Sequence, residues 1–356
     1  MMRDFVLAPE IEELRASAER LAKNRIAPNA RETERAGRWP HDVMRVLDDF
    51  PLTGLDIPES LGGAGAGAMA KVAVLETLAM ADAGGLPAAD RLGRVTGAIA
   101  ACPDRALALE VAASCLAGST NSAFTVVDRD NGSAGLDWGP SWPPLRWIWG
   151  TEGDTLRLHE VTGAPRPSIS LAFHASGSVT VSYAETKLRG QWELSAPSSL
   201  AVRARARLWA AAVAVGISQA ALDETIAYTT ERVVFGKPVA HHQGNAFDLA
   251  HAAARVHAAR LVVRDAAGAF DRLEPDAAFW ATQAWLEVME AAFTVTNLGI
   301  QLLGGHGFIV DHLAEKRFRE VRMLSMMGGA RDAAEFDVAS HVLDVPDALM
   351  ASLELS

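Results

Sequence analysis

Two short segments near the C-terminal end hold the residues best suited to chemistry. The first is Glu231-Arg232-Val-Val-Phe235-Gly236-Lys237-Pro238, followed by Gln243. An arginine at a helix end, an aromatic three residues on and a Gly-Lys-Pro turn can set a fork of donors beside a flat stacking surface. That suits a diphosphate carrying an adenine or flavin. The second is Gln301-Leu-Leu-Gly304-Gly305-His306-Gly307-Phe308, whose glycines let backbone approach another group closely and leave N–H groups free to hold an oxyanion. Taken singly, each segment is read more simply. The first can be a helix C-terminus with Arg232 favouring the dipole and Gly236 and Pro238 stopping the helix, and the second a loop between helices.

Other constellations carry less. Gly65-Ala-Gly67-Ala-Met-Ala70 imitates a dinucleotide-binding turn, but Asp56-Ile-Pro-Glu-Ser-Leu61 is a poor strand to precede it. His241, His242, His251 and His257 lack a carboxylate or thiolate at ligand spacing, so they read as surface or interface histidines and no metal is expected. No nucleophile elbow is present for Ser–His–Asp catalysis. Cys102 and Cys115 cannot form a disulfide framework and read as buried thiols in Ala-rich stretches.

These segments need elements to position them. The pattern predicts a mainly α fold with a small β domain: N-terminal helices over 1–120, a short β domain over 121–197 and a four-helix bundle over 198–356. Ile11, Leu14, Ala18 and Leu21 recur at helical spacing, a second helix follows Pro40, and Val72, Leu75, Ala79 and Met80 mark a third. Residues 86–118 read as a further helical pair. In the middle, Ser122–Val127 and Ser178–Tyr183 alternate like strands. Four of the nine tryptophans fall within Trp138–Trp149, and they read as the core of that domain before they read as the lining of an acyl site or subunit contact. A long helix over 199–231 opens the bundle. Phe247, Ala250, Ala254, Ala258 and Leu261 suggest the inner face of the next helix, and Phe279, Leu286, Met289 and Phe293 that of a third. The last segment breaks at Gly328-Gly329.

The chain has 356 residues, with 33 Lys plus Arg against 44 Asp plus Glu, a net charge of −11. An acidic chain with no basic run is not expected to bind nucleic acid. The N-terminus shows no apolar signal core, and no run of about 18 apolar residues appears, so a cytoplasmic, membrane-free protein is expected.

Together the two segments resemble the C-terminal domain of acyl-CoA dehydrogenases, with its Arg-x-x-Phe-Gly-x-x-x-x-x-x-Gln and Gln-x-x-Gly-Gly-x-Gly elements. Glu315-Lys-Arg-Phe-Arg319-Glu-Val-Arg322 is similar to that family's helix before the active-site loop. Gly54-Leu-Asp-Ile-Pro-Glu-Ser-Leu-Gly-Gly63 looks like its N-terminal Gly-Leu-x-x-Pro-Glu-x-x-Gly-Gly. The resemblance implies a dimeric or tetrameric FAD enzyme that takes an α-proton and a β-hydride from an acyl-CoA. By the same resemblance Arg232, Phe235, Gln243, Gln301, Gly304 and Gly305 would hold the adenylate half of a flavin bound mainly by a neighbouring subunit, and Arg207 would lie near substrate.

The pattern departs where the base should be. The loop position that carries the family's Glu is Gly328, and the alternative position, before Arg207 in the long helix, is Ala206. The family's flavin-covering segments are not recognisable between 121 and 197, where Trp147-Ile148-Trp149 is a faint echo. The resemblance therefore implies a short, non-catalytic subunit of a heteromeric acyl-CoA dehydrogenase, completing the FAD site of a Glu-bearing partner. Bulky substrates such as steroid side-chain CoA thioesters are typical of such complexes, so a place in fatty acid or steroid side-chain degradation is expected. Alternatives are a relocated carboxylate (Asp332 or Glu335), an oxygenase-like flavoenzyme needing no base, a self-dimer, and a flavin-free structural subunit.

Overall fold

A computed structural model of the chain describes residues 7–126 and 135–343. The N-terminal part holds α1 (Pro9–Leu21), α2 (Ala30–Ala36), α3 (His41–Asp49), α4 (Gly67–Ala81), α5 (Leu86–Ala89), α6 (Thr96–Ala101) and α7 (Arg105–Leu116). The expected helical pair over 86–118 is in fact three short helices, because Asp90–Val95 forms turns and Cys102-Pro103 ends α6. Val72, Leu75 and Ala79 are buried on α4, whereas Met80 is exposed.

Seven strands follow: β1 (Asn121–Val126), β2 (Gly135–Gly139), β3 (Leu145–Glu152), β4 (Thr155–Val161), β5 (Arg166–Pro167), β6 (Val179–Ser182) and β7 (Thr186–Glu193). They form a sheet in the order β1-β3-β4-β7, with β1 parallel to β3, and a second antiparallel sheet β2-β6-β5. Val127, the last residue of one expected strand, lies outside the described residues. Trp147 and Trp149 are fully buried between the sheet and the helices, and the Trp147 indole donates to Ser114 Oγ at 2.9 Å. Those two tryptophans are core.

The C-terminal part is α8 (Ala196–Glu231), the hairpin β8 (Val233–Val234) and β9 (Lys237–Pro238), α9 (Gln243–Asp271), α10 (Ala277–Leu303), α11 (Ala314–Leu324) and α12 (Ala330–Leu343). Ser195 caps α8 by accepting from Ser198 N, and its long Ala-rich body is buried along α10, with α4 and α9 flanking it. This is the helical bundle that the pattern called for. On α9, however, Phe247, Ala250, Ala254 and Ala258 are exposed, and Leu249, Ala252, Val256, Ala259 and Val263 are buried. The helix carries two apolar stripes at the same spacing, and the one with Leu and Val at heptad steps wins the core because it buries more area.

Gly67 opens α4, and its place explains the Gly-rich stretch. The α4 amides of Ala68 and Met69 donate to the Asp271 carboxylate at 2.6 and 2.9 Å, and a Cβ on Gly67 would come within 2.7 Å of Asp271 Oδ1. The glycine admits a carboxylate at a helix N-terminus, and no strand precedes it. Both cysteines are buried and unbridged, and burial raises each thiol's pKa. Among the described residues no cluster of His, Cys, Asp or Glu could hold a metal, and no helix is long and apolar enough to cross a membrane.

Candidate functional site

The two chemical segments meet where α8 and α10 end. Arg232 leaves the helix with extended backbone, its N–H still bonded to Tyr228 O, and the chain turns through Phe235 and Gly236 at φ +52° and +79°. A two-residue hairpin turn with both central residues left-handed normally takes Asn-Gly or Gly-Gly. Here a phenylalanine occupies the strained position, and its ring is 93% exposed. Burying such a ring is worth about 1.5–3 kcal/mol. Strain and exposure together leave it poised for a contact outside this chain.

Beside the turn lies a cleft of about 310 Å³, lined by Arg232, Val234, Leu303, Gly304, Gly305 and His306 among others. A Cβ on Gly304 or Gly305 would meet nothing within 4 Å, so their backbone is open to a ligand. The Arg232 guanidinium makes no hydrogen bond or ion pair among the described residues, and Gln243 and Gln301 are exposed nearby in sequence at the helix ends. The structure thus places Arg232, Gly304 and Gly305 on one cleft wall, while Phe235, Gln243 and Gln301 stand outside that lining. Two residues had not been singled out. Tyr228 and His306 line the cleft, with the phenol and His306 Nδ1 at 2.7 Å. Tyr228 sits four residues before Arg232, on the same helix face, which is the signal that could have found it.

The base positions lie elsewhere, and they meet. Arg207 is fully buried, and its Nε donates to the carbonyl of Gly328 at 3.2 Å. Its Nη1 reaches Thr282 Oγ1 at 3.4 Å and pairs with Asp337. Asp337 also takes two hydrogen bonds from Arg203, at 2.6 and 3.1 Å. Arg207 is therefore a buried clamp between α8, α10 and α12. Ala206, next to it, is buried with nothing to titrate.

Gly328, Gly329 and Ala330 all have positive φ (72°, 95° and 61°), and a Cβ on Gly328 would sit 3.0 Å from Arg207 Cγ. Asp332 and Glu335 are exposed, and Glu335 pairs with Arg331 at 2.6 Å. Neither is paired with the buried Arg207. The carboxylate paired with Arg207 is Asp337, unremarked in the sequence, and its oxygens are committed to three guanidinium N–H donors. No local spacing announces a partnership across 130 residues of chain.

Arg207 and Arg232 lie 25 residues apart (232 − 207) on α8 and its C-cap. At 1.5 Å per residue that is about 37 Å. One dinucleotide does not span that distance.

A family model described as the acyl-CoA dehydrogenase N-terminal domain matches residues 8–102, and one described as the acyl-CoA dehydrogenase C-terminal domain matches residues 201–343. The probable acyl-CoA dehydrogenase FadE25 of Mycobacterium tuberculosis is 28% identical, over 91% of this chain and 93% of that one. The butyryl-CoA dehydrogenase of Megasphaera elsdenii has a similar structure, with TM-score 0.81 and 20% identity over 96% of this chain and all (100%) of that one. The Tcur3481-Tcur3483 steroid ACAD is similar at TM-score 0.77 and 21% identity, over 94% and 98% of the two chains.

Proposed function

From the premise that the chain belongs to the acyl-CoA dehydrogenase family, we propose that it is the non-catalytic subunit of a heteromeric FAD-dependent acyl-CoA dehydrogenase. The observation that carries the proposal is the separation just described. The cleft at the end of α8 lies about 37 Å along the helix from the base positions, so it serves a cofactor whose reactive end lies in another subunit.

Arg232, Gly304 and Gly305 of the cleft, with Phe235, Gln243 and Gln301 outside its lining, fit the phosphate-bearing half of FAD. Arg232 brings a charge-assisted fork for a diphosphate, Gly304 and Gly305 bring open backbone N–H groups, and Phe235 brings a flat apolar face. Gln243 and Gln301 supply amide donors at the rims. When bound, FAD supplies the hydride acceptor for α,β-dehydrogenation of an acyl-CoA. This chain's part is to bind and orient the distal half of that cofactor.

The α-proton needs a positioned base, a contribution of roughly 10²- to 10⁴-fold. In this chain Gly328 and Ala206 offer none, and Asp337 is held by Arg203 and Arg207. A second copy of the same chain would lack the base twice over, so the partner is a relative that carries the glutamate.

Co-expression with a Glu-bearing relative tests this reading. The complex is expected to carry flavin and to oxidise an acyl-CoA, and Arg232→Ala is expected to lower its flavin content at unchanged subunit stoichiometry. Full flavin retention in that variant would remove the shared-site argument, and activity in the chain alone would show that it has a base of its own.

A further inference from the structure

A second site stands apart from the α8 end, where the N-terminal helices, the smaller sheet and the middle of α8 meet. Arg94, between α5 and α6, is 6% exposed. Its guanidinium lies 5.1 Å from the ring centroid of Trp138 on β2 and 5.9 Å from that of Trp209 on α8. Stacking covers the faces of the guanidinium but leaves its in-plane N–H groups unserved. Arg94 makes no hydrogen bond or ion pair among the described residues. Its buried Nη2 and the buried indole Nε1 of Trp138 are both without an acceptor. Two buried donors left open on a guanidinium and the ring 5.1 Å from it are costly, and they call for an acceptor.

The charges nearby point to the sign of that acceptor. Lys71 pairs with Asp90 at 2.7 Å and with Asp56 at 3.4 Å, and Arg205 pairs with Asp56 at 3.6 Å. With Arg94 the cluster holds three cations against two carboxylates. Asp90 is spoken for, since its other oxygen accepts from the Trp209 indole at 2.8 Å. Burial pulls the Arg94 pKa down to about 10, with Asp90 opposing it only through its field. The surplus positive charge is Arg94's.

We propose that Arg94 and the Trp138 indole N–H receive the carboxylate of a small ligand at this three-way junction. Trp209 lies three residues from Ala206 on the same side of α8, so the site is about one helical turn from the vacant base position. The carboxylate is either that of a free dicarboxylic acid or the far end of an acyl group carried by CoA. This inference does not rest on the flavin reading, and its readouts carry no flavin signal.

The test is a titration of the full chain, or of its complex where the chain alone does not stay soluble, with succinate, succinyl-CoA and butyryl-CoA. Melting temperature and tryptophan fluorescence are read together. A saturable rise in melting temperature with succinate or succinyl-CoA is expected, and which of the two acts more tightly tells whether the carboxylate arrives free or on CoA. Butyryl-CoA, which lacks the distal carboxylate, is expected to bind at least about tenfold more weakly than succinyl-CoA, the value of one charge-assisted hydrogen-bonded contact. Arg94→Leu is expected to abolish the carboxylate response while leaving the unliganded chain as stable or more so, because an unpaired buried charge is removed. Trp138→Phe, which keeps the ring and loses the donor, is expected to weaken it in part. Equal responses in the wild type and Arg94→Leu, equal affinity for butyryl-CoA and succinyl-CoA, or no saturable response at all would each overturn the proposal.

Discussion

Phe235 and Gly328 show how differently single residues can depart from what the fold prefers. Phe235 accepts a left-handed backbone and full exposure, neither of which helps this chain alone. Replacing it with Asn, which tolerates that conformation, is expected to hold or slightly raise the chain's melting temperature and to lower the flavin content of the complex. A loss of stability with no change in flavin would assign the ring a purely structural role. Gly328 is the reverse case. It has φ +72° and Arg207 Cγ 3.0 Å from where a Cβ would stand, so restoring the family's glutamate there carries a cost. Gly328→Glu is expected to lower unfolding free energy by roughly 1–3 kcal/mol, read as a denaturant midpoint, and to confer no dehydrogenase activity. Measurable turnover in that single variant would mean the rest of a catalytic site is already built. The glycines and the arginine of the two segments were legible in the sequence because spacing and residue type carry their meaning. The Arg207–Asp337 clamp was not, because the two residues are brought together only by the packing of α8 and α12 on α10.

At the level of elements, that clamp joins the packing of α12 on α10 in tying α12 to the bundle. Asp337→Asn leaves Arg207 buried and Arg203 nearly so, with their counter-charge gone, and is expected to cost about 3–5 kcal/mol in equilibrium unfolding. A second junction ties α2, α11 and the loop after β5. Burial disfavours charge on Glu34, but hydrogen bonds from His174 and from Arg319, the latter at 2.7 Å, outweigh it and hold the carboxyl well below the usual range. The same bond to Glu34 raises the His174 pKa against partial burial. Glu34's contribution is present above the unfolded carboxylate pKa and fades as pH falls toward its depressed folded value. His174's is full below about 6.5 and fades as pH rises through its raised folded value. The junction is therefore tightest between those limits. A melting-temperature profile is expected to decline on the alkaline side in the wild type and to flatten there in His174→Gln, and an unchanged profile would show that the pair does not contribute. Helix positions were largely readable from periodicity, since apolar spacing marks a face. On α9 the pattern pointed to the wrong face, because two apolar stripes share one spacing and the stripe carrying Leu249, Val256 and Val263 took the core. The parallel pairing of β1 with β3 depends likewise on contacts that no local pattern records.

On the scale of the whole molecule, one helix joins two contrasting regions. Its middle, around Arg207, is sealed by α10, α12 and the Gly328 turn, and its end, around Arg232, is open and unpaired. The order of helical domain, small sheets and bundle was legible in the sequence and is the family's fold. The proposed division of labour rests on that geometry: the open cleft at the end of α8 lies about 37 Å along the helix from the sealed positions around Arg207. The most direct test is the visible absorption spectrum of this chain purified alone, with its size from light scattering. A colourless protein that turns yellow only with a Glu-bearing partner is the predicted result. A yellow chain holding about one FAD by itself would contradict the account, and with it the claim that this subunit only completes another's site.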